Sequence, residues 1–195
     1  MILNGVDIAG YQRGIDIYDL TADFIIVKAT EGTQGTVYNP DYREMADAVL
    51  ATNRLLGFYH YANGEDPIAE ADSFFDAIRD YKGRAVPCLD WEGQGNDLFG
   101  SGEDVAWCKR FMDRISSLMG STCMLYTSKG HVNAYDWSPC ANYPLWGAEY
   151  AYADHVYDGY EDEPWQSGKP WGAWGSRVTA MLGLVTACTI RKSIR

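Results

Sequence analysis

The stretch Ala85-Val86-Pro87-Cys88-Leu89-Asp90-Trp91-Glu92 decides how this chain is read. Apolar residues lead into two acids, the pattern of a buried strand that ends in charge. Side chains alternate along a strand, so Asp90 and Glu92 project from one face, with their roots roughly 6–7 Å apart. Two acids buried side by side are costly unless they are hydrogen-bonded, paired or used. Like charges at that separation push one pKa up, which leaves one group protonated beside an ionised neighbour. Such a pair suits an acid and a charge-stabiliser at a glycosidic bond.

Outward from this strand, apolar runs alternate with helical periodicity. The runs are Leu3–Ala9, Phe24–Ala29, Leu55–Ala62, Ala85–Asp90, Thr122–Thr127 and Tyr143–Tyr150. Between them, Tyr42, Met45, Ala46, Val49 and Leu50 recur at helical spacing after Asn39-Pro40-Asp41. A second stripe, Ala71, Phe74, Phe75, Ile78 and Tyr81, opens at Asp66-Pro67. A third, Val105, Cys108, Met112, Ile115 and Met119, opens at Ser101-Gly102-Glu103-Asp104. This alternation predicts a parallel sheet built from βαβ units. An open nucleotide-binding sheet usually carries a glycine-rich turn after its first strand, and Ile8-Ala9-Gly10-Tyr11-Gln12 has none. In a barrel, working residues sit at the carboxyl ends of several strands. Asp7, Lys28, Tyr61, Asp90, Glu92, Tyr126 and Glu149 all fall at or near such ends, so an α/β barrel is the expected fold.

Composition narrows the partners. A chain of 195 residues is long enough for one domain with a sizeable core and short for two. The net charge of −11 and the lack of a basic stripe argue against nucleic acid and against adhesion to an anionic membrane. No apolar run approaches a membrane span. The 7 Trp and 14 Tyr are enough to furnish a sugar-stacking cleft as well as a core. Five cysteines, Cys88, Cys108, Cys123, Cys140 and Cys188, form no C-x-x-C pair, so no zinc or redox site is indicated. Free thiols fit synthesis in a reducing compartment. No signal peptide is visible at the amino terminus, so the expected route is synthesis in a host cytoplasm and action after release.

Lys28 lies inside an apolar strand, where an unpaired ammonium is expensive, so a carboxylate partner such as Glu31 is expected. Tyr61, Trp91, Tyr126 and Trp146 are candidate sugar platforms or core aromatics. His60 alternates with Tyr59 and Tyr61 and is expected to face away from them as a structural residue.

Taken in order, several segments resemble the family 25 glycoside hydrolases, the muramidase-type lysozymes common among bacteriophage endolysins. These are Gly5-Val6-Asp7-Ile8 with Tyr11-Gln12, Ile25-Ile26-Val27-Lys28-Ala29-Thr30-Glu31-Gly32-Thr33, and Gly57-Phe58-Tyr59-His60-Tyr61-Ala62. They continue with Ala69-Glu70-Ala71-Asp72, Val86 to Glu92, Leu125-Tyr126-Thr127-Ser128 and Pro144-Leu145-Trp146-Gly147-Ala148-Glu149-Tyr150. The resemblance implies an irregular TIM-like β/α barrel whose last strands lack intervening helices, with residues 1–195 as a single catalytic domain. It implies hydrolysis of the β-1,4 bond between N-acetylmuramic acid and N-acetylglucosamine by a cofactor-free, metal-free monomer acting on peptidoglycan glycan strands. Glu92 would be the proton donor. Asp90 would stabilise the oxocarbenium-like centre or orient the substrate's acetamido group, and Asp7 would hold water or tune its neighbours. Lys28, Glu31, Tyr61, Trp91, Tyr126, Trp146 and Glu149 would contact substrate.

After Tyr150 the motif match decays, and beyond about residue 165 the tail is atypical. The family brings a further aspartate near its end, yet no acid follows Glu163 here and the chain closes on Arg191-Lys192-Ser193-Ile194-Arg195. Either Arg191 stands in the aspartate's place or a change of coding frame rewrote the last strand. Two rival readings follow: a catalytically impaired glycan-binding barrel, and a chitinase-like hydrolase of acetamido-sugar chains.

Overall fold

A computed structural model describes residues 2–33, 39–148 and 187–192. Seven strands form one sheet: β1 (Ile2–Ile8), β2 (Phe24–Glu31), β3 (Leu55–Tyr61), β4 (Ala85–Asp90), β5 (Met124–Ser128), β6 (Leu145–Ala148) and β7 (Ala187–Lys192). Their order is β6-β5-β4-β3-β2-β1-β7, and every pair is parallel. From β1 to β6 spatial order follows chain order without the reversal that defines a doubly wound sheet. The sheet is that of an irregular TIM-like β/α barrel.

Among the described residues, four helices cross between strands: α1 (Tyr42–Ala51), α2 (Pro67–Ile78), α3 (Asp104–Met119) and the six-residue α4 (Lys129–Ala134). Local chemistry sets their ends. Asp66 caps α2 by accepting from the N–H groups of Ile68 and Ala69, both at 2.9 Å, with Pro67 in the first turn. Gly120, at φ 69°, closes α3 in the left-handed conformation. Ser128 caps α4 through the N–H of His131. The β1–β2 connection holds only a 3-10 turn, Gly10–Gln12, and α4 is the short helix between β5 and β6. Helices thus thin out at both ends of the described barrel.

Strand alternation sorts the apolar residues into two cores. One face of the sheet packs Ile25, Val27, Leu56 and Phe58 against Phe74, Ile78, Phe111 and Ile115 of the helices. The other face carries a smaller interior cluster of Phe24, Ile26, Tyr59, Val86, Cys88 and Met124. This interior cluster floors the barrel below the strand ends that carry the acids.

Gly5 pairs with Phe24, and a Cβ at Gly5 would lie 2.1 Å from the Phe24 ring. Gly5→Ala should therefore overpack the interior and destabilise the fold by about 1–3 kcal/mol. A fall in the urea midpoint at unchanged m-value would show it; an unmoved midpoint would contradict this register.

The carboxyl-terminal strand is where the motif pattern gives least guidance. Ala187–Lys192 pairs with β1, and the register aligns Val6 with Arg191 and Asp7 with Lys192. The strand therefore brings the basic pair Arg191-Lys192 alongside the carboxyl end of β1, next to Asp7.

Candidate active site

Parallel pairing sets residues of equal register on the same face of a sheet. Glu31 pairs with Tyr61, Tyr61 with Asp90, Asp90 with Tyr126, and Tyr126 with Trp146. These five side chains form a row across β2 to β6 at the carboxyl ends of the strands, where a barrel carries its working groups. Asp7 is the penultimate residue of β1, and Glu92 follows β4 by two residues. Asp7 and Asp90 are buried, at 4% and 7% exposure, while Glu92 is half-buried.

Two tyrosines report the convergence of these acids. Tyr59 lies on the interior face, two residues before Tyr61. Burial, then the charges of Asp7, Asp90, Glu92 and Glu31, hold its hydroxyl well above the ordinary tyrosine range. Tyr61 is pushed up by burial and by Glu92, Asp90 and Glu31, and its hydroxyl donates to the Gln94 carbonyl at 2.6 Å. Acids from β1, β2, β4 and the loop after β4 thus surround one pair of phenols. Both phenols remain neutral donors through the physiological range.

Lys28 brings positive charge into this ring of acids. Its Nζ donates to Glu31 Oε2 at 2.8 Å and sits 4.7 Å from the Tyr61 ring centroid. The expected ion pair is present, and the cation covers part of one ring otherwise available to a sugar.

The remaining aromatics divide. Tyr126 is buried and meets Trp146 edge-on at 4.6 Å, so it backs the half-buried Trp146 more than it presents a face of its own. Trp91, named above as a possible platform, is fully enclosed at 0% exposure on the opposite face. Its ring lies 4.7 Å from Trp107 of α3, and its indole N–H donates to Asp104 Oδ1 at 3.0 Å. The alternation that aims Asp90 and Glu92 inward aims Trp91 at the helices, so it belongs to the core and not to a sugar cleft. Glu149 lies outside the described residues. His60 faces the helices as expected, between Thr30 Oγ1 and Glu70 Oε2, each at 2.8 Å.

Sequence reasoning missed Tyr59, although its alternation with Tyr61 places it on the acid face. It also missed Asp104, fully buried at the start of α3. Burial alone would raise this carboxyl, but donation from Gly100, Trp91 and Gly102 and the nearby His131 outweigh it and hold the group below the usual carboxylate range. Among the described residues no three His, Cys, Asp or Glu side chains group as a metal site. The described cysteines, Cys88, Cys108, Cys123 and Cys140, are buried free thiols.

A barrel mouth that gathers Asp7 from β1, Glu31 from β2, and Asp90 and Glu92 from β4 and its exit loop suits glycosidic-bond chemistry, and comparison with known proteins decides the family. The family model for glycosyl hydrolases family 25 matches residues 6–175. The chain belongs to this family. Its match extends past the segments that carry the resemblance and into the atypical tail. The N,O-diacetylmuramidase of Chalaropsis sp. is 34% identical over 153 residues, covering 71% of this chain and 69% of that protein. The autolytic lysozyme of Clostridium acetobutylicum is 29% identical over 175 residues, covering 82% of this chain and only 50% of the clostridial protein. In fold, the family 25 chain is similar to the catalytic domain of an endolysin from bacteriophage P40 of Listeria monocytogenes. That likeness has a TM-score of 0.63 at 22% identity, over 96% of this chain and 92% of the phage domain.

Proposed function

We propose that this family 25 glycoside hydrolase is an N-acetylmuramidase, cleaving the β-1,4 bond between N-acetylmuramic acid and N-acetylglucosamine in peptidoglycan. The observation that carries the reading is the row of Glu31, Tyr61 and Asp90 at the carboxyl ends of the strands, with Asp7 and Glu92 close enough to act with Asp90 on the Tyr59 hydroxyl. Glu92, half-exposed on the loop, protonates the leaving oxygen. Asp90, buried in the strand, stabilises the developing positive charge or orients the acetamido group. Asp7 sets the field around both. Lys28, Glu31, Tyr61 and Trp146 border the glycan. The family match over residues 6–175 supports reading residues 1–195 as one catalytic domain.

We read the source as a phage or prophage lysin, on the fold it shares with the phage domain. Four buried free thiols favour synthesis in a reducing cytoplasm and action on the wall after release.

Digestion of purified wall with identification of the new reducing ends tests the activity. Muramic acid at the reducing end is the expected product. N-acetylglucosamine at that position would point to chitinase-like cleavage, and bound but uncut fragments would identify a glycan-binding barrel.

A further inference from the structure

On the muramidase reading, Glu92 has to hold its proton within hydrogen-bonding reach of a glycosidic oxygen, yet it stands on a loop, residues 91–103, outside the sheet. We propose that Asp104, acting through Trp91, is the positioning residue that fixes this loop and with it Glu92.

Trp91 is locked on both sides of its backbone by β5. Its N–H donates to the Tyr126 carbonyl at 2.9 Å, and its carbonyl accepts from Thr127 Oγ1 at 2.9 Å. Its side chain is locked by Asp104, whose Oδ1 accepts from the indole N–H at 3.0 Å. The same carboxylate gathers the far end of the loop. Oδ1 also accepts from the Gly100 N–H at 2.8 Å, and Oδ2 accepts from the Gly102 N–H at 3.0 Å. A single buried carboxylate therefore ties the residue before Glu92 to the residues that close the loop, in a water-poor site where charged acceptors bind strongly.

Between these ends, Phe99 completes the brace. A Cβ on Gly93 would lie 3.0 Å from the Phe99 ring, so the backbone just after Glu92 rests on that ring. Phe99 in turn stacks on His131 at 4.0 Å, and His131 Nε2 stands 3.0 Å from Asp104 Oδ1. Glu92 is thus flanked by two residues, Trp91 and Gly93, whose positions both trace back to Asp104. Trp91 and Asp104 are themselves fully buried, and the loop they fix reaches the mouth through Glu92 and through Gln94, whose carbonyl accepts from Tyr61 at 2.6 Å.

The test measures kcat and KM on solubilised wall glycan for the wild-type chain, Asp104→Asn, Trp91→Phe and the double variant, each well below its own unfolding midpoint. Asp104→Asn sets an amide N–H₂ where at least one backbone or indole donor needs an acceptor. Trp91→Phe removes only the indole donor and part of the ring, so it remains informative if the Asn variant fails to fold. Each single variant should lower kcat on the order of tenfold, short of the roughly 10²-fold cost of a full 1 Å misplacement, with KM within about twofold. The double variant should be little worse than either single one, because both break one linkage. Tyr81→Phe is the control: Tyr81 is buried and donates to Asp47 Oδ1 at 3.0 Å, away from this loop, so its loss should lower the unfolding midpoint and leave kcat unchanged. Unchanged kcat in both loop variants of an active wild-type chain would overturn the inference and leave the muramidase reading standing. Additive losses would also overturn it. A wild-type chain without turnover would overturn both.

Discussion

Glu92→Gln should lower kcat on wall glycan on the order of 10³-fold and leave the unfolding midpoint within the range of an ordinary surface change. Glutamine matches the shape of the acid but carries no proton to give, and general acid catalysis contributes about 10²–10⁴-fold. Stability should be largely spared because Glu92 is half-buried beyond the end of β4 and glutamine keeps its shape, so the expected shift is about 0.5 kcal/mol or less. The leaving group gives a sharper diagnosis. A sugar oxygen leaves poorly without protonation, whereas a nitrophenolate leaves unaided, so the deficit should shrink markedly on an aryl glycoside. An equal deficit on both substrates would assign Glu92 a role other than proton donor.

Asp90→Asn should be nearly as damaging, with kcat down about 10²–10³-fold, the size expected when a preorganised charge aimed at the transition state is removed. Stability should move the other way. Asp90 is buried on the mouth row shared with Glu31, and Asp7 and Glu92 act with it on the Tyr59 hydroxyl, so removing one of these acids lowers the crowding of like charge there even though Lys28 offsets part of it. A midpoint equal to or above wild type, with collapsed turnover, is the signature of a site that gives up stability for function. A lowered midpoint with retained turnover would reassign Asp90 to structure. If Asp90 acts by orienting the acetamido group, its loss should matter little on a substrate whose acetamido is replaced by hydroxyl.

Period-two alternation carried most of what was legible in the sequence. It joined Asp90 to Glu92 and turned His60 away from Tyr59 and Tyr61, to the side where it meets Thr30 and Glu70. The same rule contained the answer for Trp91: a residue between two inward acids faces outward, and there it packs on Trp107. The barrel followed from strand–helix alternation, because each crossover stripe was long enough to show its period. α4 was not legible, since six residues span less than two turns and only the Ser128 cap marks its start. Asp104 was hidden for a different reason. In sequence it reads as an acid in the first turn of a helix, and its partners Gly100, Gly102 and Trp91 meet it only once the loop has folded back. The tail showed no clear alternation, yet backbone pairing with β1 fixes Ala187–Lys192 as a strand.

The most direct test of the central claim is a crystal structure of the Glu92→Gln variant with an uncleaved tetrasaccharide of alternating N-acetylglucosamine and N-acetylmuramic acid. The account predicts the glycan across the barrel mouth above Tyr61 and Trp146. The muramyl linkage oxygen should lie within hydrogen-bonding distance of the substituted side-chain amide, with Asp90 beneath the muramyl ring. A glycan bound on another surface, or a linkage beyond the reach of both side chains, would contradict it.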